Sequence, residues 1–465
     1  MTTRIFTPLM ALGFAALPTL LHAQTAPDLA KQLQRLQATM DAMQSRINEL
    51  ESTQKAKDGQ PWGITPEQAK QLNRTTVKAD ALEESQETLG YKGLKISGLI
   101  DPTFIATNRQ NRTGFQFLNS GQNFEYAFDN GSFGMAMIDF QKEMEGGRKW
   151  RLTLAPNRGG AGIAIDGSSI VHEASLLMPL GDLQTRVIAG QMPDWSGHEF
   201  MQPTLNKFVT HNLLFDFTLP AVYTGVGIDL LRDPWSVKAV LANVSASKKR
   251  SGQKAPALAY RVDYYDYKNE FMGFGFAGLH GKLANSRADD GVGNPITGLP
   301  YDMHDSLAHS FEVDAFYSRG DWTVTGQLGL GMQRRAAISA DPVTGELRDS
   351  RWWGASAMVG YKLTPRLEAV ARLDHLNDAR HGGGTLGWAF ADGRNGLGPD
   401  PAGDPEIGAN RTALSVGGRY TVNTNFAVKA EVRLDRASLP VFLDLRDGSY
   451  RRSNKLFGAS MVMSF

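Results

Sequence analysis

The sequence has no cysteine. In 465 residues that absence removes disulfides, thiolate nucleophiles and cysteine-ligated metals together, and it suits a chain that crosses an oxidising compartment. An excess of charge of one sign is also missing: 49 Lys and Arg stand against 48 Asp and Glu, so nothing in the balance points to nucleic acid. After the first two dozen residues no apolar run approaches eighteen, which excludes a transmembrane helix from the remainder. If that remainder enters a membrane, it must do so as a closed barrel of strands. There is no G-x-S-x-G elbow and no H-E-x-x-H pair, so no catalytic residue, metal ligand or cofactor is expected and the chain is not read as an enzyme.

What is present begins with "MTTRIFTPLMALGFAALPTLLHAQ". A basic start at Arg4, an apolar run to Leu21 and a small residue at Ala23 predict a secretory signal peptide over 1–23. Residues 24–60 carry Leu29, Leu33, Leu36, Met40, Met43, Ile47 and Leu50, whose spacing alternates four and three. That is the seam of a coiled-coil stalk, placed in the periplasm, with dimer and trimer equally open. Residues 61–93 read as a linker with one short helix at 65–72, capped by Thr65 with Pro66 in its first turn.

From Leu94 to Phe465 the texture changes to period-two runs. In "NFAVKAEVRLD", Phe426, Val428, Ala430, Val432 and Leu434 fall on one parity and Lys429, Glu431, Arg433 and Asp435 on the other. Successive strand side chains point to opposite faces, so one face meets an apolar medium and the other water. Such runs recur as hairpins with tight turns at one end, while long polar connections at 245–256, 284–306, 333–351, 377–410 and 436–454 gather at the other. Outer-membrane barrels have this asymmetry, with short periplasmic turns and long extracellular loops. The expectation is an all-β transmembrane barrel of about sixteen antiparallel strands, with room for one more within 108–130. Pro102 should interrupt the first strand.

Parity places Arg151, Arg186, Lys238, Arg261, Arg372, Arg411, Arg419, Lys429 and Arg433 on the wet, pore-lining face. Asp263, Glu312, Asp314, Glu368, Asp374, Glu431 and Asp435 share it. These charges are either the solvated wall of a wide pore or a basic ladder that favours anions, small organic acids among them, with Arg419 and Arg433 side by side and Arg372 close to them. Segment 192–221 differs from every other connection. It holds Trp195, Phe200, Phe208, Phe215 and Phe217 among Asp194, His198, Glu199, Lys207, His211 and Asp216. Aromatics in such number need burial, so the segment is expected to fold into the barrel as a constriction, or else to pack at a subunit interface.

The last strand, "LFGASMVMSF", has an apolar outward row that ends at Phe465 and resembles the assembly signal of bacterial outer-membrane proteins. With "LKISGLID" as first strand, "VIAGQMPDWSGHE" before the long loop and "LPAVYTGVGIDL" after it, the chain resembles Gram-negative porins. OmpL-like β-barrel porins and DcaP-like channels, which place a coiled coil before a trimeric barrel, are the nearest in pattern. Tyr223 and Gly227 stand where that resemblance implies His and Arg. It implies a homotrimer in outer-membrane lipid, inserted by the assembly machinery through Phe465, that passes small hydrophilic solutes. The alternative is a structural protein whose coiled coil tethers the outer membrane to the cell wall.

Overall fold

The computed structural model describes residues 91–109, 112–117, 134–155, 170–220, 222–244, 256–266, 271–288, 292–386 and 390–465, with isolated helical positions before them. Those positions are Asp41, Gln44, Ser45, Asn48, Gln71 and Arg74–Lys78. The last five were expected in linker; they are helical instead, with Val77 exposed. The signal peptide and all seven seam residues of the stalk lie outside the described residues.

Residues from Leu94 onward form one antiparallel sheet that closes on itself. The first strand is broken into β1 (Leu94–Ile100) and β2 (Thr103–Thr107) at Asp101–Pro102, where proline cannot donate to the ladder. The second is broken likewise: β3 (Arg112–Gln116) pairs with β2, and β4 (Ala136–Glu143) pairs with the same side of β1. Thus β3 is no extra strand; it shares one position in the ring with β4. Hairpins then follow through β5 (Lys149–Leu154), β6 (Val171–Leu180), β7 (Asp182–Pro193), β8 (Val222–Arg232), β9 (Trp235–Val244) and β10 (Ala257–Asp266). The series continues with β11 (Phe271–Ala284), β12 (Asp305–Arg319), β13 (Trp322–Gln333), β14 (Ser350–Lys362), β15 (Leu367–Asn377), β16 (Arg411–Asn423) and β17 (Phe426–Ala437). A two-stranded ribbon, β18 (Phe442–Leu443) and β19 (Tyr450–Arg451), decorates the last long loop before β20 (Ser453–Ser464). The eighteen segments of the main sheet fill sixteen positions around a barrel, because β1 with β2 and β3 with β4 act as single strands.

Closure is made at the seam between β1/β2 and β20. Phe465 exchanges two backbone hydrogen bonds with Gly98, each 3.1 Å. A Cβ on Gly98 would stand 2.7 Å from the Phe465 ring, so glycine is what lets that ring lie across the seam.

Alternation sets the two faces. On β17, Val432 and Leu434 are about half exposed on the outside, whereas Lys429, Glu431, Arg433 and Asp435 are buried inside. The outward rows of β13–β17 and β20 are apolar except at their long-loop ends, and aromatics collect near the tight-turn end: Trp322 packs on Tyr361 with ring centroids 4.5 Å apart. Turns at that end are short, as between Arg319 and Trp322 and between Arg232 and Trp235.

Candidate functional site

Segment 194–220 leaves β7, crosses the interior and returns to β8. Its start is fixed at its own base. Asp194 accepts from the Tyr223 hydroxyl (2.6 Å) and from Ser196, and the Trp195 ring lies 4.6 Å from that of Tyr223. The Lys238 ammonium sits 5.8 Å from the centre of the Trp195 ring.

Farther on, the segment is held by the wall opposite its base. Glu431 on β17 accepts the amides of Val209 and Thr210 and the Thr210 hydroxyl, at 3.0, 2.8 and 2.7 Å. Arg372 on β15 donates to Glu199 (2.8 Å), to the Thr210 and His211 carbonyls and to the Thr210 hydroxyl. Arg433 donates to the same hydroxyl and to the His211 carbonyl. Two arginines and one carboxylate thus converge on Thr210. Lys429 caps the carbonyls of Pro203 and Phe208, and Lys207 pairs with Glu368 on β15. Nearer β13, Asn212 donates to Gln327 (3.0 Å) and His198 meets the Thr325 hydroxyl (3.2 Å).

Glycines on the inner wall make room for this docking. Leu214, in the short helix Leu213–Phe217 that Asn212 caps, lies where a Cβ on Gly329 or Gly354 would come within 3.2 or 2.7 Å of its methyls. Val209 similarly occupies the space beside Gly458 and packs with Ile105 and Leu456. Glycine within a strand weakens it, and a common reason to keep one is close approach of another segment. Trp195, Leu213 and Phe217 join Tyr223, Trp352 and Leu376 of the wall, with Leu386 and Leu397 of the loop 378–410, in one apolar cluster inside the barrel.

The predicted residues therefore stand on the inner face, but the expectation that they are bathed in water is corrected for most of them. Arg372, Lys429, Glu431 and Arg433 are at most 1 % exposed, and Arg186 and Arg261 are buried as well. Packing of a charged segment against a charged wall removes water from both, and the buried arginines are compensated. Arg186 pairs with Asp229 at 2.6 Å, and Arg261 forks onto Asp314 at 2.7 and 2.9 Å. Arg372 pairs also with Asp374, and Arg411 and Arg433 share Asp435. Arg151, beside Asp139 and Glu173, keeps part of its surface in the open. The expected neighbourhood of Arg419 and Arg433 is also corrected: register sets Arg419 opposite Lys429 and Arg433 opposite Ser415. Arg372 and Arg433 do meet, one on each side of Ser415.

Of the loop residues singled out by composition, Glu199, Lys207 and His211 take part in the junction, His198 reaches β13, and Asp194 holds the base. Asp216 is buried in the short helix, 3.8 Å from His211. Burial works against the Glu199 carboxylate, but Arg372, with His211 and His198, outweighs it and holds the group below the usual carboxylate range. Burial pushes the His211 imidazole below its ordinary value. Thr210 and Asn212, the pivots of the junction, carry no charge and gave no signal in the sequence.

The other side of the interior differs. Lys95 and Ser97 on β1 are exposed, and Gln141, Lys149, Arg151 and Ser175 are part-exposed around a hollow bounded by β1, β4, β5 and β6.

Residues 64–465 match the model of a family described as "Protein of unknown function (DUF3138)". The chain belongs to the DUF3138 family. No curated protein matches it. Among solved structures, this DUF3138 chain is similar to the outer membrane channel DcaP of Acinetobacter baumannii, with 11 % identity, TM-score 0.49, and coverage of 80 % of this chain and 97 % of that one. It is also similar to the anion-selective porin from Comamonas acidovorans, at 9 % identity, TM-score 0.48, and 80 % and 99 % coverage. The same holds for OmpT of Vibrio cholerae, at 12 % identity, TM-score 0.48, and 80 % and 97 % coverage. The described strands of the DUF3138 barrel close into a ring of sixteen positions.

Proposed function

We propose that the protein is an outer-membrane porin through which small hydrophilic solutes diffuse past the segment 194–220. The observation that carries this reading is a closed sixteen-strand ring, apolar outside and charged inside, crossed by one loop anchored on the far wall. Barrels of that size have interiors too wide for wall side chains alone to fill. Here the loop fills the part next to β13–β17 and leaves polar side chains open along β1 and β4–β6. Solutes pass on that open side.

Charge selectivity is weak in this reading. The anion preference expected from basic rows is opposed by carboxylates: Arg372 pairs with Glu199 and Asp374, and Arg411 and Arg433 share Asp435. On the open side Arg151 is likewise matched by Asp139 and Glu173. Assembly as a trimer, a periplasmic coiled-coil stalk and recognition of Phe465 by the assembly machinery complete the proposal.

Reconstitution into planar bilayers tests it. The expected result is discrete conductance steps with a reversal potential near zero in a salt gradient. A heat-modifiable, inserted protein that gives no steps would sink the channel reading and leave the tether through the stalk as the better one.

A further inference from the structure

The outside of the barrel carries a feature that diffusion through it does not use. Four basic side chains, Arg334, Arg351, Arg436 and Lys455, are exposed at the long-loop ends of β13, β14, β17 and β20. Arg351, Arg436 and Lys455 belong to the outward rows, since their neighbours of the same parity are Trp353, Leu434 and Phe457, all exposed. Arg334 continues the outward row of Leu328 and Leu330 just past the end of β13. None of the four side chains makes an ion pair or side-chain hydrogen bond among the described residues.

Their height on the wall is regular. Ten positions along the same row from Arg351 is Tyr361; from Arg436 it is Phe426; from Lys455 it is Phe465. Ten residues at about 3.3 Å each, tilted as barrel strands are, rise roughly 25 Å, the thickness of the apolar band of such a barrel. The basic residues therefore stand one band-height above the aromatic girdle, at the opposite interface. Near an interface, unlike at mid-membrane, outward Lys or Arg is tolerated at little cost.

Within the strands of this sector charge is one-sided, although Asp349 stands just past the end of β14 in the row of Arg351. The outward rows of β13–β17 and β20 hold no Asp or Glu at all. Between Arg351 and Arg436 the rim is filled by polar and aromatic groups: His375 meets the Thr412 hydroxyl at 2.9 Å, and its ring lies 5.3 Å from that of Trp353. Register sets Arg436 opposite both Thr412 and Ser453. A lipid with two phosphates at its headgroup and acyl chains below would meet guanidinium and ammonium donors above and Leu414, Val432, Leu434 and Phe457 beneath. Arginine suits phosphate in particular, because its fork binds two oxygens at once.

We propose that this sector binds the phosphorylated glycolipid of the outer leaflet, with Arg351, Arg436 and Lys455 on its phosphates and Arg334 at the margin. The inference rests on the outer-membrane reading above and on the long loops facing outward. It is independent of conduction, because none of these side chains enters the lumen.

The test uses the full-length protein extracted from outer membranes and native mass spectrometry. Purified lipopolysaccharide, the same lipid after phosphatase treatment, and phosphatidylglycerol are titrated in turn. Wild type should retain lipopolysaccharide, and adduct should fall about fivefold for each basic residue removed, the size expected for a basic side chain at an anionic lipid surface. R436Q/K455Q should therefore lose less than R334Q/R351Q/R436Q/K455Q, and R436K/K455R should keep most of the binding. Heat-modifiability of each variant shows that the barrel has formed, and the double variant serves if the quadruple one fails to insert. Adduct unchanged in a folded double variant would overturn the proposal. Equal retention of the dephosphorylated lipid or of phosphatidylglycerol would also overturn it, leaving only a belt of general charge. Absence of conductance steps in wild type, with lipid binding intact, would count against the channel and not against this site.

Discussion

Two stretches of the inner wall begin from the same pattern and end differently. On β15–β17 Arg372, Asp374, Arg411, Lys429, Glu431, Arg433 and Asp435 are buried, each bonded to another strand or to the loop. On β1 and β4–β6 the cations Lys95, Lys149 and Arg151 stay at least partly open, although Asp139 and Glu173 beside Arg151 are buried. The strands are alike in alternation; the difference is what lies against them. A charge facing a lumen is solvated by default, and it becomes part of a core only when another segment brings matching donors and acceptors. Segment 194–220 does so for one wall.

The largest effect should come from removing that segment. Replacing 196–217 with a short Gly-Ser connection exposes the β15–β17 charges and makes the two walls equivalent. Single-channel conductance is expected to rise several-fold. Conductance unchanged in the shortened protein would mean that solutes never passed beside the loop.

Next in size is Glu431→Ala. It removes the acceptor of two loop amides and one hydroxyl and leaves Arg372 short of a neighbour. Removing one partner of a buried charged group costs about 3–5 kcal/mol, felt here as local stability of the loop. Hydrogen exchange at the Val209 and Thr210 amides should accelerate accordingly, with the barrel still heat-modifiable. Retained protection would place the anchor elsewhere.

A moderate effect is expected from pH. His211 is held below its ordinary value of 6.5 by burial, so the docked loop binds a proton less readily than a released one. Docking is then fully stable above about pH 6.5 and weakens as the pH falls below it. Loop amide exchange measured between pH 7 and 5 should rise in wild type and stay flatter in His211→Gln. Strands β1, β4 and β5 carry no histidine, and their amides should not respond in the same window.

The smallest effect belongs to that open wall. Lys95→Glu with Lys149→Glu should move the zero-current potential toward cations while leaving loop exchange untouched. Lys149 and Glu143 are 36 % and 50 % exposed, and exposed pairs of this kind are worth at most about 1 kcal/mol. A potential that stays put would take these lysines out of the passage.

The contrast also explains what could be read from the sequence. Parity along β17 assigned faces correctly, because a one-residue error would have put Arg433 in lipid. Turn residues and loop lengths gave the strand number. The density of aromatics in 192–221 pointed to an interior loop, since aromatics gather where they can be buried. Wetness was not legible. Whether Arg372 meets water or Glu199 depends on a contact between residues far apart in sequence, and neither residue signals it alone. Thr210 was invisible for the same reason: a lone threonine in a loop is ordinary until two arginines and a glutamate surround it. The inner glycines 329, 354 and 458 did carry a signal, as places where β-branched residues would have served the strand better. The positions of Arg419 and Arg433 needed the register, which alternation fixes only in its parity.

The seam between Gly98 and Phe465 carries a consequence for how the barrel comes into being. Its two partners are separated by nearly every other strand, so this pairing has the highest sequence separation in the sheet. Loop-closure entropy opposes such a contact until all the intervening hairpins are in place. Until then β1 and β20 are bare edges, each able to template on another chain. A nascent copy must therefore be kept from its siblings until Phe465 has met Gly98. Gly98→Val, which thrusts a side chain at the Phe465 ring and at the Met137 carbonyl of β4, is the change that would prolong this vulnerable interval.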